Sequence, residues 1–490
     1  MKTLIIIFAI LQLLLLSCNS EPENAKQANS LPNIYPDYIN VSIPPNIAPL
    51  NFLVRDSCLS TYVCASYNDL KIKASSSDNQ VCFDIDDWKE LVSAAIGNDI
   101  KISVFEEKER GIFVQYNDFN IHVEQDSIDS YLTYRLIEPD YEVFSRIKIE
   151  QRCIENFDTK DICNYNVTNN SCMNCHTFAK NDPNTSLFYV RGANGGAILN
   201  RNGILRKLNI KTDGMASGSV YGHFSNDGRY FVFSTNVIIP GFHSEPGKRM
   251  EVFDTKSDVY IADFETNKII SSPLLCDTLR AETFPCFSAD GRKIFYCSAP
   301  ILKDNANNIT NIHYDLVSID FENGIIGNHT DTIVKATASD KPVSVCLPTV
   351  SPDGKYLIYT ESDYGTFPIW HREAELRMID LQRMATDSLK SVNSRNSDTY
   401  HTFSSNSRWV VFASKRDDGL YGKPYFFHID NDGNTTKPFA LPQKYPDFYD
   451  NCLKSFNIPE LSNGAVPFSV KDVESVLKRE SINFSFGSGE

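Results

Sequence analysis

Positive charge is scarce in this 490-residue chain: 47 lysines and arginines stand against 62 aspartates and glutamates, a formal net charge of −15. That balance makes nucleic acid and anionic lipid surfaces poor partners for the body of the protein. No Gly-x-Ser-x-Gly elbow occurs, and so many serines and aspartates belong to repeats that no hydrolase triad can be picked out. A second C-x-x-C with a downstream histidine pair is missing, which would leave a structural zinc site without half its ligands. The apolar run at the start, Leu4 to Leu11 resumed at Leu13 to Leu16, is too short to be kept as a membrane span.

That first run, with Lys2 ahead of it, reads as a signal peptide over residues 1–17. It ends in Leu15-Leu16-Ser17-Cys18, which resembles a bacterial lipobox. The resemblance implies cleavage before Cys18 and acylation there, so that the mature chain is tethered to a membrane without spanning it. Residues 18–36 are polar and read as a lipidated, flexible tether. Beyond it, 42% hydrophobic and 22% charged residues are ordinary for a soluble globular protein long enough for two or more domains.

The stretch Cys172-Met173-Asn174-Cys175-His176 is a complete C-x-x-C-H. In that pattern two thiols add to the vinyl groups of a haem and the adjacent histidine supplies an axial ligand to iron. Cys172, Cys175 and His176 are therefore the expected attachment site of a covalent haem c, with His176 on the iron. A thioredoxin-like pair would need a helix N-terminus in a βαβ unit, and the flanks here are asparagine-rich (Asn164, Asn166, Asn169, Asn170). Apart from Cys18 and the haem pair, ten cysteines are left, an even number that an exported protein could bridge. Cys153 and Cys163 flank one short loop, yet contexts such as Val81-Cys82-Phe83 suit a buried free thiol equally well.

Residues 37–150 alternate short apolar runs with polar breaks and predict a small β-rich, sandwich-like domain. One helix is expected over 87–96, capped by Asp86 or Asp87, with Trp88, Leu91, Val92 and Ala95 on one face. His122 falls in an alternating strand and is expected to be structural, and the charges of Lys101 to Arg110 fit a solvated hairpin. Residues 151–185 form a linker that carries the haem motif. From 186 to 445 the chain repeats itself: His223-Phe224-Ser225-Asn226-Asp227-Gly228-Arg229-Tyr230 is echoed from Cys286, from Thr349 and, in degenerate form, from Phe403. Each copy reads as strand, tight turn, strand. Units of this kind bury their faces against neighbours, and closing them into a ring removes the sheet edges. Residues 446–490 are a C-terminal extension.

The phrase Ser351-Pro352-Asp353-Gly354-Lys355-Tyr356-Leu357-Ile358-Tyr359 resembles the repeat of TolB-type β-propellers, which implies a TolB/WD40-like propeller of about six blades. Over nearly the whole mature length the chain also resembles a family of Bacteroidetes lipoproteins loosely described as TolB-like or as cytochrome c biogenesis proteins. The matching stretches include Ile43-Pro44-Pro45-Asn46, Tyr134-Arg135-Leu136-Ile137, Asn174-Cys175-His176, Glu251-Val252-Phe253-Asp254 and Leu441-Pro442-Gln443. This resemblance implies an outer-membrane lipoprotein, periplasmic or surface-exposed, and no reaction. For a second iron ligand it points to His243, in a Phe-His that matches the family pattern, ahead of His223, His401, Met215 and Met250. The leading expectation is a monohaem envelope protein that transfers or senses electrons with an unidentified redox or envelope partner. The alternative is a surface propeller that binds glycan or protein without redox chemistry. Either is a haem or binding protein in preference to an enzyme.

Overall fold

A computed structural model describes residues 21–138, 146–242, 250–303 and 308–487. Cys18 and His243 lie outside the described residues. No helix among those described is long and apolar enough to cross a membrane. The chain divides into two compact units, the first made of residues up to Ile128 with Ile154–Phe157 and Thr436–Cys452, the second of the remainder.

The first unit is built on a seven-stranded sheet whose longest strand, Asp99–Glu109, organises the rest. Ser60–Tyr67 pairs along one side of it, while Phe119–Val123 and Ile112–Gln115 divide the other. A separate three-stranded sheet joins Ile34–Tyr35, Phe52–Val54 and Gln80–Val81. The helix spans Ile85–Ala94 and starts earlier than expected, because Asp84 is the cap: its carboxylate accepts from the backbone N–H groups of Asp86 and Asp87. Trp88, Leu91 and Val92 are buried as predicted, and Ile96 is left beyond the helix end. His122 is a strand residue whose Nδ1 lies 2.7 Å from the Asp99 carboxylate.

The second unit is a six-bladed β-propeller. Blade 2 runs through Met173–Ala179, Asp182–Val190, Gly196–Arg201 and Ile204–Asn209; blade 3 through Val220–Phe224, Tyr230–Phe242, Met250–Asp263 and Lys268–Ile270. Blade 4 uses Arg280–Phe287, Lys293–Pro300, Asp315–Glu322 and Ile325–Val334, and blade 5 Ser344–Val350, Tyr356–Ser362, Glu375–Asp380 and Ala385–Asp387. Asp398–Phe403, Trp409–Ser414 and Lys423–His428 make blade 6. Blade 1 is split in sequence: its inner strand, Ser455–Ser462, arrives from the far end of the chain and pairs antiparallel with Tyr131–Ile137, which continues into Lys148–Cys153 and Thr159–Asn164. The ring is therefore closed within blade 1 by hydrogen bonds between segments distant in sequence.

The repeated Ser-x-Asp-Gly explains itself locally. Ser225 Oγ donates to the Asp227 carboxylate at 2.6 Å and accepts from Tyr230 N at 2.9 Å, while the same carboxylate accepts from Arg229 N at 3.0 Å. Ser288/Asp290 and Ser351/Asp353 repeat the pattern, and Ser404/Asn406 repeats it with an amide. Gly228, Gly291 and Gly354 take φ near +70° at this turn, and Ser407 replaces glycine in the fourth copy. These serines and aspartates are turn residues.

After its inner strand the chain straps the ring from outside. Helix Val470–Leu477, with a capping box between Ser469 and Asp472, buries Val473, Val476 and Leu477 against a core shared by blades 1 and 2. Ile482–Asn483 and Ser485–Phe486 then pair with the outer strands of blades 2 and 3. No disulfide joins two of the described residues, and Cys153 and Cys163 are free thiols.

Candidate functional site

The six inner strands surround the axis, and all carry the same irregularity. Where the pairing register slips, one residue takes positive φ: Cys175 (52°), Tyr221 (51°), Phe284 (51°), Leu347 (55°), Tyr400 (49°) and Ile458 (53°). A bulge of this kind bends the strand and re-aims its side chains. The next residue is His176, Gly222, Pro285, Pro348, His401 or Pro459. At Gly222 a Cβ would lie 2.0 Å from the Phe231 ring, so glycine is required there. The bulges form a waist between two chambers. The upper one, about 550 Å³, lies where the inner strands begin, and the lower one, about 190 Å³, where they end. Cys175, Tyr221, Tyr400 and Ile458 line both.

Cys175-His176-Thr177-Phe178 is thus the inner-strand repeat of blade 2, equivalent to Tyr400-His401-Thr402-Phe403 of blade 6. The side chains behave alike. His176 Nε2–H donates to the Thr133 carbonyl of blade 1 at 3.3 Å, and His401 Nε2–H donates to the equivalent Ile358 carbonyl of blade 5 at 2.9 Å. Each imidazole therefore ties its blade to the preceding one. Both Nδ1 atoms are buried without a partner. Burial pulls both imidazoles down to about 4, so each is neutral at pH 7. The shared His-Thr-Phe was the sequence signal for this equivalence, and the C-x-x-C-H spacing masked it.

A porphyrin bound at C-x-x-C-H needs both sulfurs and the imidazole on one space. Here Cys172 lines the upper chamber, His176 lines the lower one, and Cys175 borders both. Cys175 sits in the waist, its sulfur accepting from Tyr221 N at 3.3 Å. In this arrangement the three groups do not converge, and the lower chamber is too small for a tetrapyrrole. Among the described residues no three His, Cys, Asp or Glu side chains are placed to hold a metal ion. Of the other ligand candidates, His223 lines the lower chamber, with Nδ1 3.1 Å from the Phe224 carbonyl, and Met215 is buried, its sulfur accepting from Thr212 N. Met250 lines the upper chamber. Glu460, between the histidines, accepts from Thr177 Oγ1 and Phe178 N, and burial raises it to about 8.

The upper chamber has the chemistry of a binding site. Aromatic rings (Tyr221, Phe367, Trp370, Tyr400) share its wall with Ile238, Pro240, Met250 and Val252 of the blade 3 hairpin. That hairpin continues beyond the blade, paired as far as Phe242 and Met250. Its root is pinned by His371 of blade 5, whose Nε2 lies 3.2 Å from the Glu251 carboxylate and whose Nδ1 lies 2.9 Å from that of Glu373. Burial alone would lower His371, but the bonds to Glu251 and then Glu373 outweigh it and raise the imidazole to about 9. Among these walls are buried polar atoms with no partner: Arg135 Nε, Glu138 Oε2, Asn174 Oδ1 and Asn457 Oδ1. Of the loop aromatics noted in the sequence, Trp370 lines the chamber, Tyr364 packs edge-on against His371, and Tyr421 does neither.

The strand pairings define the second unit as a six-bladed β-propeller. No protein-family model matches the sequence, and no characterised protein matches it in sequence. Among solved structures the chain is similar to TolB from Acinetobacter baumannii (13% identity over 77% of this chain and 84% of that one, TM-score 0.41). It is also similar to Pseudomonas aeruginosa periplasmic gluconolactonase PpgL (15%, 64% and 98%, TM-score 0.34). Kuenenia stuttgartiensis hydrazine synthase gives 12% identity, 65% and 47% coverage and a TM-score of 0.40, this chain spanning about half of that one.

Proposed function

We propose that this protein is an envelope-tethered propeller that binds a ligand in its upper chamber. The observation that carries the reading is the lining: a space of about 550 Å³, of ligand-pocket size, in which partnerless buried polar atoms stand among aromatic and aliphatic walls. Buried polar groups are normally paired, and a group left unpaired at a cavity wall is a group a ligand can satisfy. The signal-peptide pattern and Cys18 support export and lipid anchoring, which would place the propeller at the outer membrane, facing periplasm or surface. A direct check is mass spectrometry of small molecules released from the protein isolated from its native envelope. A species bound by wild type and absent from a folded Asn174→Leu variant is expected. A chamber that releases nothing in either would overturn the reading.

Covalent haem at Cys172 and Cys175, with His176 on iron and electron transfer as the role, is the second reading. Two features favour it: the C-x-x-C-H is complete, and both thiols line one chamber. It requires His176 to leave the Thr133 carbonyl. A Soret band that survives denaturation and acid acetone would establish it, and a colourless mature protein would end it.

A further inference from the structure

The repeat itself shows which residue of the upper chamber is out of place. In every blade the second strand sends one residue to the same layer, paired in register with the residue just before the waist. Blades 2 to 6 put Tyr189, Ser234, Cys297, Thr360 and Ala413 there, and blade 1 puts Arg135 there, opposite Asn457. At two seams between blades this layer is closed by hydroxyl pairs, Ser234 with Thr283 at 3.4 Å and Thr360 with Thr399 at 3.2 Å. At the seam between blades 1 and 2 the corresponding residues are Arg135 and Asn174. No hydrogen bond joins them, and Arg135 Nη1 instead donates to the Met173 carbonyl at 3.3 Å. Arg135 has no ion pair among the described residues, and its buried Nε has no acceptor. Among the described residues, the chamber lining holds Arg135 and Arg191, with Lys415 bound to the Ile369 carbonyl at 2.7 Å, against one acid, Glu138, whose Oε1 lies 3.5 Å from Lys454 Nζ. In a chain of net charge −15 this is a local excess of cation.

We infer that the upper chamber recognises the carboxylate of an apolar organic acid, with Arg135 as the anion receptor. The inference rests on the proposed binding role of the chamber. A guanidinium with an open Nε edge matches a carboxylate. The buried Asn174 Oδ1, 7% exposed at the residue level, asks for an N–H or O–H donor beside that carboxylate. The aromatic rings accept the carbon skeleton. A carboxylate, an adjacent N–H and an apolar side chain are what a peptide C-terminus or an N-acylated amino acid presents.

Calorimetric titration of the full chain with N-acetyl-L-phenylalanine and with its amide tests this, alongside Gly-Gly-Phe with free and amidated ends. Both free acids should bind, and the amides should bind about 10- to 100-fold more weakly, as expected when a charge-assisted pair is lost. Arg135→Gln should remove the difference between acid and amide, and Arg135→Lys should keep part of it. Trp370→Ala should weaken acid and amide alike. Tighter binding of the tripeptide acid than of the acylated amino acid identifies a peptide end as the source, and the reverse order identifies a small acid. Equal affinity for acid and amide, or undiminished acid binding by a folded Arg135→Gln, would overturn the carboxylate assignment while leaving the chamber a binding site. No binding of any probe up to about 10 mM would overturn it as well. The ligand-release experiment then decides separately whether the chamber binds anything.

Discussion

The inner strands of blades 2 and 6 carry the same local structure under different sequences. Both have a left-handed residue at the waist, then a histidine bound to the preceding blade, then Thr-Phe. In blade 6 the left-handed residue is Tyr400, and the histidine reads as a packing residue. In blade 2 it is Cys175, three residues after Cys172, and the same histidine completes a haem signature. The comparison teaches that a short motif and a structural repeat can claim one residue for different physical reasons. Which claim holds is a matter of where the side chains point.

Blade 1 stands between these two strands in the ring, so the most drastic way to break the comparison is to remove its inner strand. Ending the chain at Lys454 takes away Ser455–Ser462, the pairing partner of Tyr131–Ile137, together with the outer strap. Loss of the cooperative thermal transition of the propeller is expected, and a wild-type melting profile would show that the ring does not need closure.

Next in size is His371→Ala. It removes the imidazole that bridges the Glu251 carboxylate, 6% exposed, and Glu373, at a cost of about 1.5–3 kcal/mol. The pH dependence has a definite sign. The folded imidazole is raised above its unfolded value, so its contribution is complete below about pH 6.5 and is lost as pH rises through about 9. A wild type that holds its melting temperature between pH 7 and 10 as well as the variant does would contradict the pinning role.

His176→Ala and His401→Ala then test the equivalence directly. Each removes one bond between blades and leaves a small cavity, so both should destabilise by about 1–3 kcal/mol in chemical denaturation. Both histidines are depressed by burial, so the unfolded chain binds protons that the folded one does not. Stability should therefore fall as pH drops from about 6.5 through 4, and each variant should flatten that decline. A much larger effect at His176, accompanied by a change in visible absorbance, would favour the haem reading. Cys172→Ala should do least: the residue is half-buried at the chamber wall, and a change within about 0.5 kcal/mol is expected. Loss of a Soret band in that variant would decide for haem.

The sequence by itself determined the repeat. Ser-x-Asp-Gly specifies a turn through its own side chains, and consecutive apolar residues such as Phe231-Val232-Phe233 and Leu357-Ile358 specify strands buried on both faces. Both are local, and copies 63 residues apart stay legible because each turn repeats the same bonds. Blade 2 was harder to read, since Ala179-Lys180-Asn181 makes its turn with two left-handed residues and no Ser-x-Asp-Gly. Tertiary structure alone decided the rest. Blade 1 exists only when residues more than 300 apart pair, so no window of sequence contains it. Nothing in Tyr134-Arg135-Leu136 announces a guanidinium with an open Nε in a chamber; that follows from the ring placing Arg135 in a layer where the other blades carry no cation. Which side of the waist a thiol or an imidazole faces is likewise set by a bulge repeated around a closed ring, because the direction of a side chain there depends on the neighbouring blade as much as on its own strand.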